Sequence, residues 1–155
     1  MSRLLIFDRK FTCIYDKSWN AKTDSNEPLR QETMQLIMGM CYSLRTMLSK
    51  LSPQSGNDTS YSYRTDRYRL FYYEVPSGWK FVLLVAGTPI IKSSTIGGQT
   101  VTLETALSHL WSTIFIEWVI RNPLFISNEC QTIKLVEGGA AGKIGEFMQL
   151  PIFHN

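Results

Sequence analysis

Histidine, cysteine and any large excess of one charge are scarce in this 155-residue chain, and each scarcity removes a class of function. There are two histidines. His109 lies on a predicted helix with no acidic residue or cysteine three or four positions away, and His154 is next to last, so neither belongs to a cluster that could do acid-base work. The three cysteines, Cys13, Cys41 and Cys130, are odd in number, lack CxxC spacing and sit in apolar stretches, which reads as reduced thiols in a cytosolic protein. Neither HExxH nor paired-cysteine spacing occurs, so no metal site and no cofactor is expected. Sixteen basic residues against thirteen acidic leave a net charge of +3, too small and too dispersed for nucleic acid. No apolar run approaches the roughly 18 residues that span a bilayer. Leu4 to Phe7 before Asp8 is too short for the apolar region of a signal peptide, so neither secretion nor membrane insertion is expected.

What the chain has is apolar surface. With 44% hydrophobic, 12% aromatic and 19% charged residues it can build one sizeable core and is not disordered. Its length suits a single domain, 1–155, whose last stretch from about 125 is the least patterned.

Arg3 to Asp8 and Thr12 to Asp16 read as a hairpin joined by Arg9-Lys10-Phe11. After a polar loop, Leu29 to Leu51 carries Met34, Ile37, Cys41, Leu44, Leu48 and Leu51 at three- and four-residue steps, an amphipathic helix that Pro53 ends. Tyr61 to Glu74 alternates as one strand or as a pair of strands broken near Thr65-Asp66, and Trp79 to Ala86 is an apolar strand. Gly87 to Gln99 reads as a polar loop, Thr100 to Arg121 as a second long helix, and Ala140 to Met148 as a weak helical stretch. Leu4 to Phe7 and Phe81 to Val85 lack alternation, so both are covered on two sides and form the central pair of a largely antiparallel sheet with helices on both faces.

The run Gly138-Gly139-Ala140-Ala141-Gly142-Lys143-Ile144 imitates a phosphate-binding loop and fails its requirements. The gap between glycines is wrong, Glu137 stands where the first glycine belongs, and Ile144 replaces the hydroxyl that would hold magnesium. It reads as a mobile glycine-rich segment, and an enzyme is not expected.

Both predicted helices carry more apolar surface than one core needs. Beside its core stripe the first helix has a second, Leu36, Met40 and Met47, and the two together exceed the usual width. Four methionines lie on this helix (Met34, Met38, Met40, Met47), and thioethers adapt to contoured partners, although the same residues could fill gaps in a wide core. The second helix places Leu103, Leu107, Leu110, Trp111, Ile114 and Trp118 on a core face and Phe115, Ile116, Val119 and Ile120 on the remainder, which a third layer or a partner would cover.

The strings Leu5-Ile6-Phe7-Asp8-Arg9, Gly39-Met40 with Ser43-Leu44-Arg45, Ser49-Lys50-Leu51-Ser52-Pro53, Arg67-Tyr68-Arg69-Leu70 with Tyr72-Tyr73-Glu74 and Pro76-Ser77-Gly78, and Arg121-Asn122-Pro123-Leu124 fall in register from about Leu4 to Leu124. In them the chain resembles the small longin-fold, sybindin-like core subunits of the TRAPP membrane-tethering complex, of the Bet-five or subunit-one type. It departs from them in a longer loop at Gly87 to Gln99 and in the glycines of its last helix. The resemblance implies an α+β, three-layer longin-like (profilin-like) domain with a five-stranded antiparallel sheet of order 2-1-5-4-3. It implies a non-catalytic subunit that pairs with a sister longin-fold subunit and joins other core subunits. The assembly would act as guanine nucleotide exchange factor for an early-secretory Rab GTPase in ER-to-Golgi transport, cytoplasmic and peripheral to Golgi and endoplasmic reticulum membranes. On this view the sister contact falls on Leu36, Met40 and Met47 and the GTPase surface among Arg45, Arg67 and Arg69. Arg45 and Arg67 could equally serve the fold itself. The alternative is a free-standing longin-type adaptor that binds a trafficking peptide or a SNARE segment.

Overall fold

A computed structural model describes residues 2–19, 27–51, 59–87, 93–121 and 139–153. Five antiparallel strands, β1 (Ser2–Phe7), β2 (Cys13–Trp19), β3 (Thr59–Arg64), β4 (Tyr68–Glu74) and β5 (Lys80–Ala86), form one sheet in the order β2-β1-β5-β4-β3. The two runs without alternation are therefore neighbours at its centre, Leu4 opposite Leu83 and Ile6 opposite Phe81. Their continuous apolarity follows from cover on both sides. Leu4, Ile6, Phe81 and Leu83 enter one core cluster, whereas Leu5, Phe7 and Val82 enter the other.

The second of these clusters is roofed by α1 (Glu27–Leu51), with Pro28 in its first turn, where a missing N–H costs nothing. Among its described side chains Ile37 and Cys41 are buried, four positions apart and hence on one face. The connection between β1 and β2 is tied by Asp8, whose Oδ1 accepts from the backbone N–H of Lys10 and of Thr12. Phe11 there takes a left-handed φ of 63°.

The opposite face is where the chain departs from its sequence pattern. The segment expected to be loop and then helix instead contains a hairpin, β6 (Ser93–Ile96) and β7 (Gln99–Thr102). Gly97 and Gly98 turn it with φ of 55° and 81°, the two left-handed residues that a two-residue hairpin of matching twist requires. The helix begins only after it. Thr102 caps α2 (Leu103–His109), its Oγ1 accepting from Thr105 N–H while Thr105 Oγ1 accepts from Thr102 N–H.

From Leu110 to Ile120 the helix continues with wider, π-type turns, as in the bond from Arg121 N–H to Ile116 C=O, five residues back. This changes which residues meet the sheet. Leu110 and Phe115, five apart, are both fully buried, whereas Trp118, expected in the core, is 38% exposed. Phe115, expected outside it, meets Trp79 and Phe81 edge to face, each at 5.1 Å between ring centroids.

The layer is completed by α3 (Ala140–Met148), which buries Ala140, Ile144, Phe147 and Met148, and by a tight turn at Pro151–Phe153. Cys130, His154 and the Ser52-Pro53 and Asn122-Pro123-Leu124 strings lie outside the described residues.

Candidate functional site

Leu36, Met40, Met47 and Leu51 fall within about 60° of one another around α1, taking ~100° per residue, and run along roughly 22 Å of its length. This stripe flanks the buried one. Leu36 is 75% exposed, Met47 51% and Leu51 74%. Leu51 was expected in the core; the last turn of α1 carries it clear of the sheet. Met40 is half-buried and packs against the cluster beneath the helix, so it belongs partly to the chain's own interior.

Between this flank and the sheet end lies an open groove of about 430 Å³. Leu36, Ile37 and Met40 form its helical wall, Tyr68, Leu84 and Ala86 its sheet wall, and Arg67 and the buried Arg3 also line it. Arg3 is committed elsewhere, with Nε and a terminal nitrogen donating to the two carboxylate oxygens of Asp16 at 2.9 and 2.8 Å. Arg67 also borders a second hollow of about 470 Å³ at the β3–β4 turn, lined by Arg64, Asp66 and Arg69. The structure thus brings Leu36, Met40 and Arg67 together, whereas Arg69, opposite Val85 in the ladder, leaves the other face of the sheet. Tyr68, from the arginine-aromatic run at Arg67 to Tyr73, lies beside them, and Leu84, which the sequence did not single out, is placed there only by the strand register.

Arg45 lies at the other end of β4. Its Nε donates to Glu74 Oε2 at 2.6 Å, and the Tyr72 hydroxyl donates to the same oxygen at 2.8 Å. The bond to Glu74 raises the pKa of Arg45, and burial followed by the nearby Glu74 charge raises that of Tyr72. Tyr61 stacks on Tyr72 with centroids 4.6 Å apart and donates its hydroxyl to Cys41 C=O at 3.1 Å. Lys80 faces Glu74 across the ladder. Its buried ammonium donates to Gly78 C=O at 2.8 Å and to Asp8 C=O at 3.3 Å, and lies 4.4 Å from the Phe11 ring centroid. Burial lowers its pKa. These groups bond one another and the backbone, so they tie α1 and two hairpin turns to the sheet.

The residues that imitated catalytic or phosphate-binding motifs are placed in structure. His109 stacks on Phe147 at 5.8 Å. Ala140 and Ile144 of the glycine-rich run are buried in α3 as part of its packed face, and Lys143 Nζ donates to Glu146 Oε2 at 3.2 Å. From Gly139 onward that run is the cap and start of a helix rather than a loose loop. Among the described residues no group of three or more potential ligands could hold a metal ion, and no helix is long and apolar enough to cross a membrane.

Sheet order 2-1-5-4-3, one helix on one face and the remaining helices on the other define an α+β domain of longin type. The chain belongs to the sybindin-like family, whose pattern it matches over residues 1–134. It is similar to trafficking protein particle complex subunit 1 of Rattus norvegicus, at 33% identity over 121 residues covering 78% of this chain and 75% of that one. The Homo sapiens protein of the same name is 32% identical over the same shares. Trafficking protein particle complex subunit BET5 of Saccharomyces cerevisiae is 33% identical over 133 residues, 80% of this chain and 77% of that one.

Proposed function

We propose that this chain is a core subunit of a TRAPP-type vesicle-tethering assembly, with no active site of its own. It pairs through Leu36, Met40 and Met47 with a sister longin-fold subunit and meets other core subunits. The assembly acts as guanine nucleotide exchange factor for an early-secretory Rab GTPase in ER-to-Golgi transport, in the cytoplasm and peripheral to Golgi and endoplasmic reticulum membranes. The observation that carries the reading is the exposed apolar stripe on α1 in a chain whose relatives are named as subunits of such a particle. Water-exposed aliphatic side chains aligned along one helix flank mark a surface made for another protein. GTPase-facing charge we assign to Arg45, Arg67 and Arg69.

Exchange by such an assembly needs no bond chemistry. A platform that binds the nucleotide-free GTPase better than the loaded one shifts the equilibrium toward release by that difference in affinity. The test is release of a fluorescent guanine nucleotide from an early-secretory Rab. The reconstituted core containing this chain accelerates it and the chain alone does not; equal rates with and without this subunit would refute the reading. A free-standing adaptor would instead use the groove beside Leu36 for a trafficking peptide or SNARE segment, and would remain a monomer when offered the sister subunit.

A further inference from the structure

The end of the sheet away from the groove carries charge of its own. Arg9, Lys10 and Phe11 follow one another in the β1–β2 connection, and both cations are exposed. Among the described residues no ion pair or side-chain hydrogen bond engages Arg9 or Lys10. The nearby carboxylates are committed elsewhere: Glu74 receives Arg45 and Tyr72, and Asp8 Oδ1 accepts two backbone N–H groups of its own turn.

An aromatic ledge adjoins these cations. Phe11 is half-buried, and the ring of Tyr42, 58% exposed on α1, meets it edge to face with centroids 6.0 Å apart. Taking ~100° per residue, no acidic residue lies within about 60° of Tyr42 around α1 between Gln31 and Ser49. The connection is braced from beneath. Lys80 Nζ donates to the C=O groups of Asp8, Arg9 and Gly78 at 3.3, 3.5 and 2.8 Å and lies 4.4 Å from the Phe11 ring centroid, while Phe11 N–H donates to Asp8 C=O at 3.1 Å. Phe11 keeps its place at the cost of a left-handed φ. Two cations without counter-charge and two aromatic rings are therefore presented on a fixed turn.

A free phosphate would meet the cations and leave the rings in water. An apolar partner would cover the rings and strand the charges. A layer of anionic headgroups satisfies both, because amphipathic rings settle at headgroup level and basic side chains gather the surrounding negative charge. The cations also stand in the turn that closes this end of the sheet, the part that a flat surface reaches first.

We propose that this end of the domain lies against an anionic membrane surface, a proposal that rests on the membrane-peripheral assembly described above. Arg9 and Lys10 sit among the headgroups, with Phe11 and Tyr42 at their level. Arg45, bonded to Glu74, is not required. One copy binds weakly: each cation near such a surface is worth roughly fivefold in partition, and the two together about twentyfold. Assembly with other subunits adds to this by linkage.

The test is lipid titration of the full chain with phosphatidylcholine vesicles, with and without phosphatidylserine, at low and high salt. Wild type is expected to bind the phosphatidylserine vesicles and to lose them as salt rises. The variant Arg9→Glu, Lys10→Glu is expected to bind about twentyfold or more weakly, and Tyr42→Ser a few-fold more weakly, both with unchanged circular dichroism. The variant Lys17→Glu, Arg64→Glu alters net charge equally on the two edge strands and is expected to keep its binding. Equal loss in that variant overturns the proposal, since adsorption then follows net charge alone. Wild type that binds both vesicle types alike, or neither, overturns it. So does displacement by inorganic phosphate beyond that by sodium chloride of the same ionic strength, which assigns the cations to a single anion. Loss of pairing with the sister subunit in Arg9→Glu, Lys10→Glu, with vesicle binding intact, assigns this end to a protein and overturns it as well. A wild-type chain that binds the vesicles but never pairs contradicts the assembly reading and supports this one.

Discussion

Arg45 and Glu74 join α1 to the end of β4 through a 2.6 Å bond from Nε to Oε2, on a carboxylate that also receives the Tyr72 hydroxyl. The two ends differ in setting: the Arg45 side chain is 44% exposed and that of Glu74 10%. Removing the arginine therefore costs chiefly through the carboxylate left behind. Arg45→Ala is expected to lose about 1 to 2 kcal/mol of stability, the exposed end keeping the figure below that of a fully buried pair. Urea denaturation checks it. An alanine variant as stable as wild type would mean that the pair does not hold the fold.

Adjacent positions on α1 should behave oppositely. Ile37 is buried under the helix, and Leu36 projects from its flank. In the lone chain, Ile37→Ala should cost about 2 to 4 kcal/mol by opening a cavity. Leu36→Ala should stay within about 0.5 kcal/mol. Equal losses would place Leu36 inside the chain's own core.

Stability should decline on the alkaline side. Burial raises the Cys41 thiol from 9.0 to about 11 and, with the Asp16 charge adding to it, the Tyr15 hydroxyl from 10.0 to about 12. Tyr61 and Tyr72 are raised further, burial again the leading cause. Between the ordinary and the raised value each group holds its proton in the folded chain and loses it in the unfolded one. Their stabilising contribution is thus complete below about pH 9 and drains away as pH climbs through 10 and 12. Lys80 acts with opposite sign, since its lowered pKa lets rising pH relieve a buried charge up to its ordinary 10.5. Four acids against one base leave a net loss. Urea midpoints recorded against pH alongside tyrosinate absorbance test this, and a midpoint level from pH 8 to about 12 would contradict it.

Gly78 holds a φ of 96°, and a Cβ there would come within 2.7 Å of Arg9 Cγ. The arginine stem can swing away; the backbone conformation cannot change without moving the turn whose C=O receives Lys80. Gly78→Ala is expected to cost about 1 to 2 kcal/mol, read as a lower thermal midpoint. No change would mean the turn readjusts freely.

Much of the sheet was legible in the residues themselves, because two-sided cover leaves a direct mark. Leu4 to Phe7 and Phe81 to Val85 lack alternation and proved to be the central neighbours. The bounds of α3 coincide with the weak helical stretch read from Ala140 to Met148, although glycines interrupt its periodicity. The β6–β7 hairpin was missed although its signal stood in plain order: β-branched residues on either side of Gly97-Gly98. The polar serines and threonines masked it. The inversion of Trp118 and Phe115 was not readable, since it depends on wide helical turns that shift the buried face. On α1 the spacing distinguished two stripes, yet only packing tells that Met40 leans inward and Leu51 outward. The groove and the Arg64–Arg69 pairing are products of tertiary register, which no single stretch of sequence encodes.

What the flank of α1 meets decides whether the chain works as one half of a pair. The measurement is sedimentation velocity of the wild-type chain and of a Leu36→Asp, Met47→Asp variant, each mixed with the sister longin-fold subunit, with circular dichroism of the unmixed proteins as control. Wild type is predicted to sediment as a one-to-one pair, and the variant to keep its dichroism while the two chains sediment apart. A wild-type chain that stays monomeric beside that partner, or a variant that pairs undiminished, would contradict it.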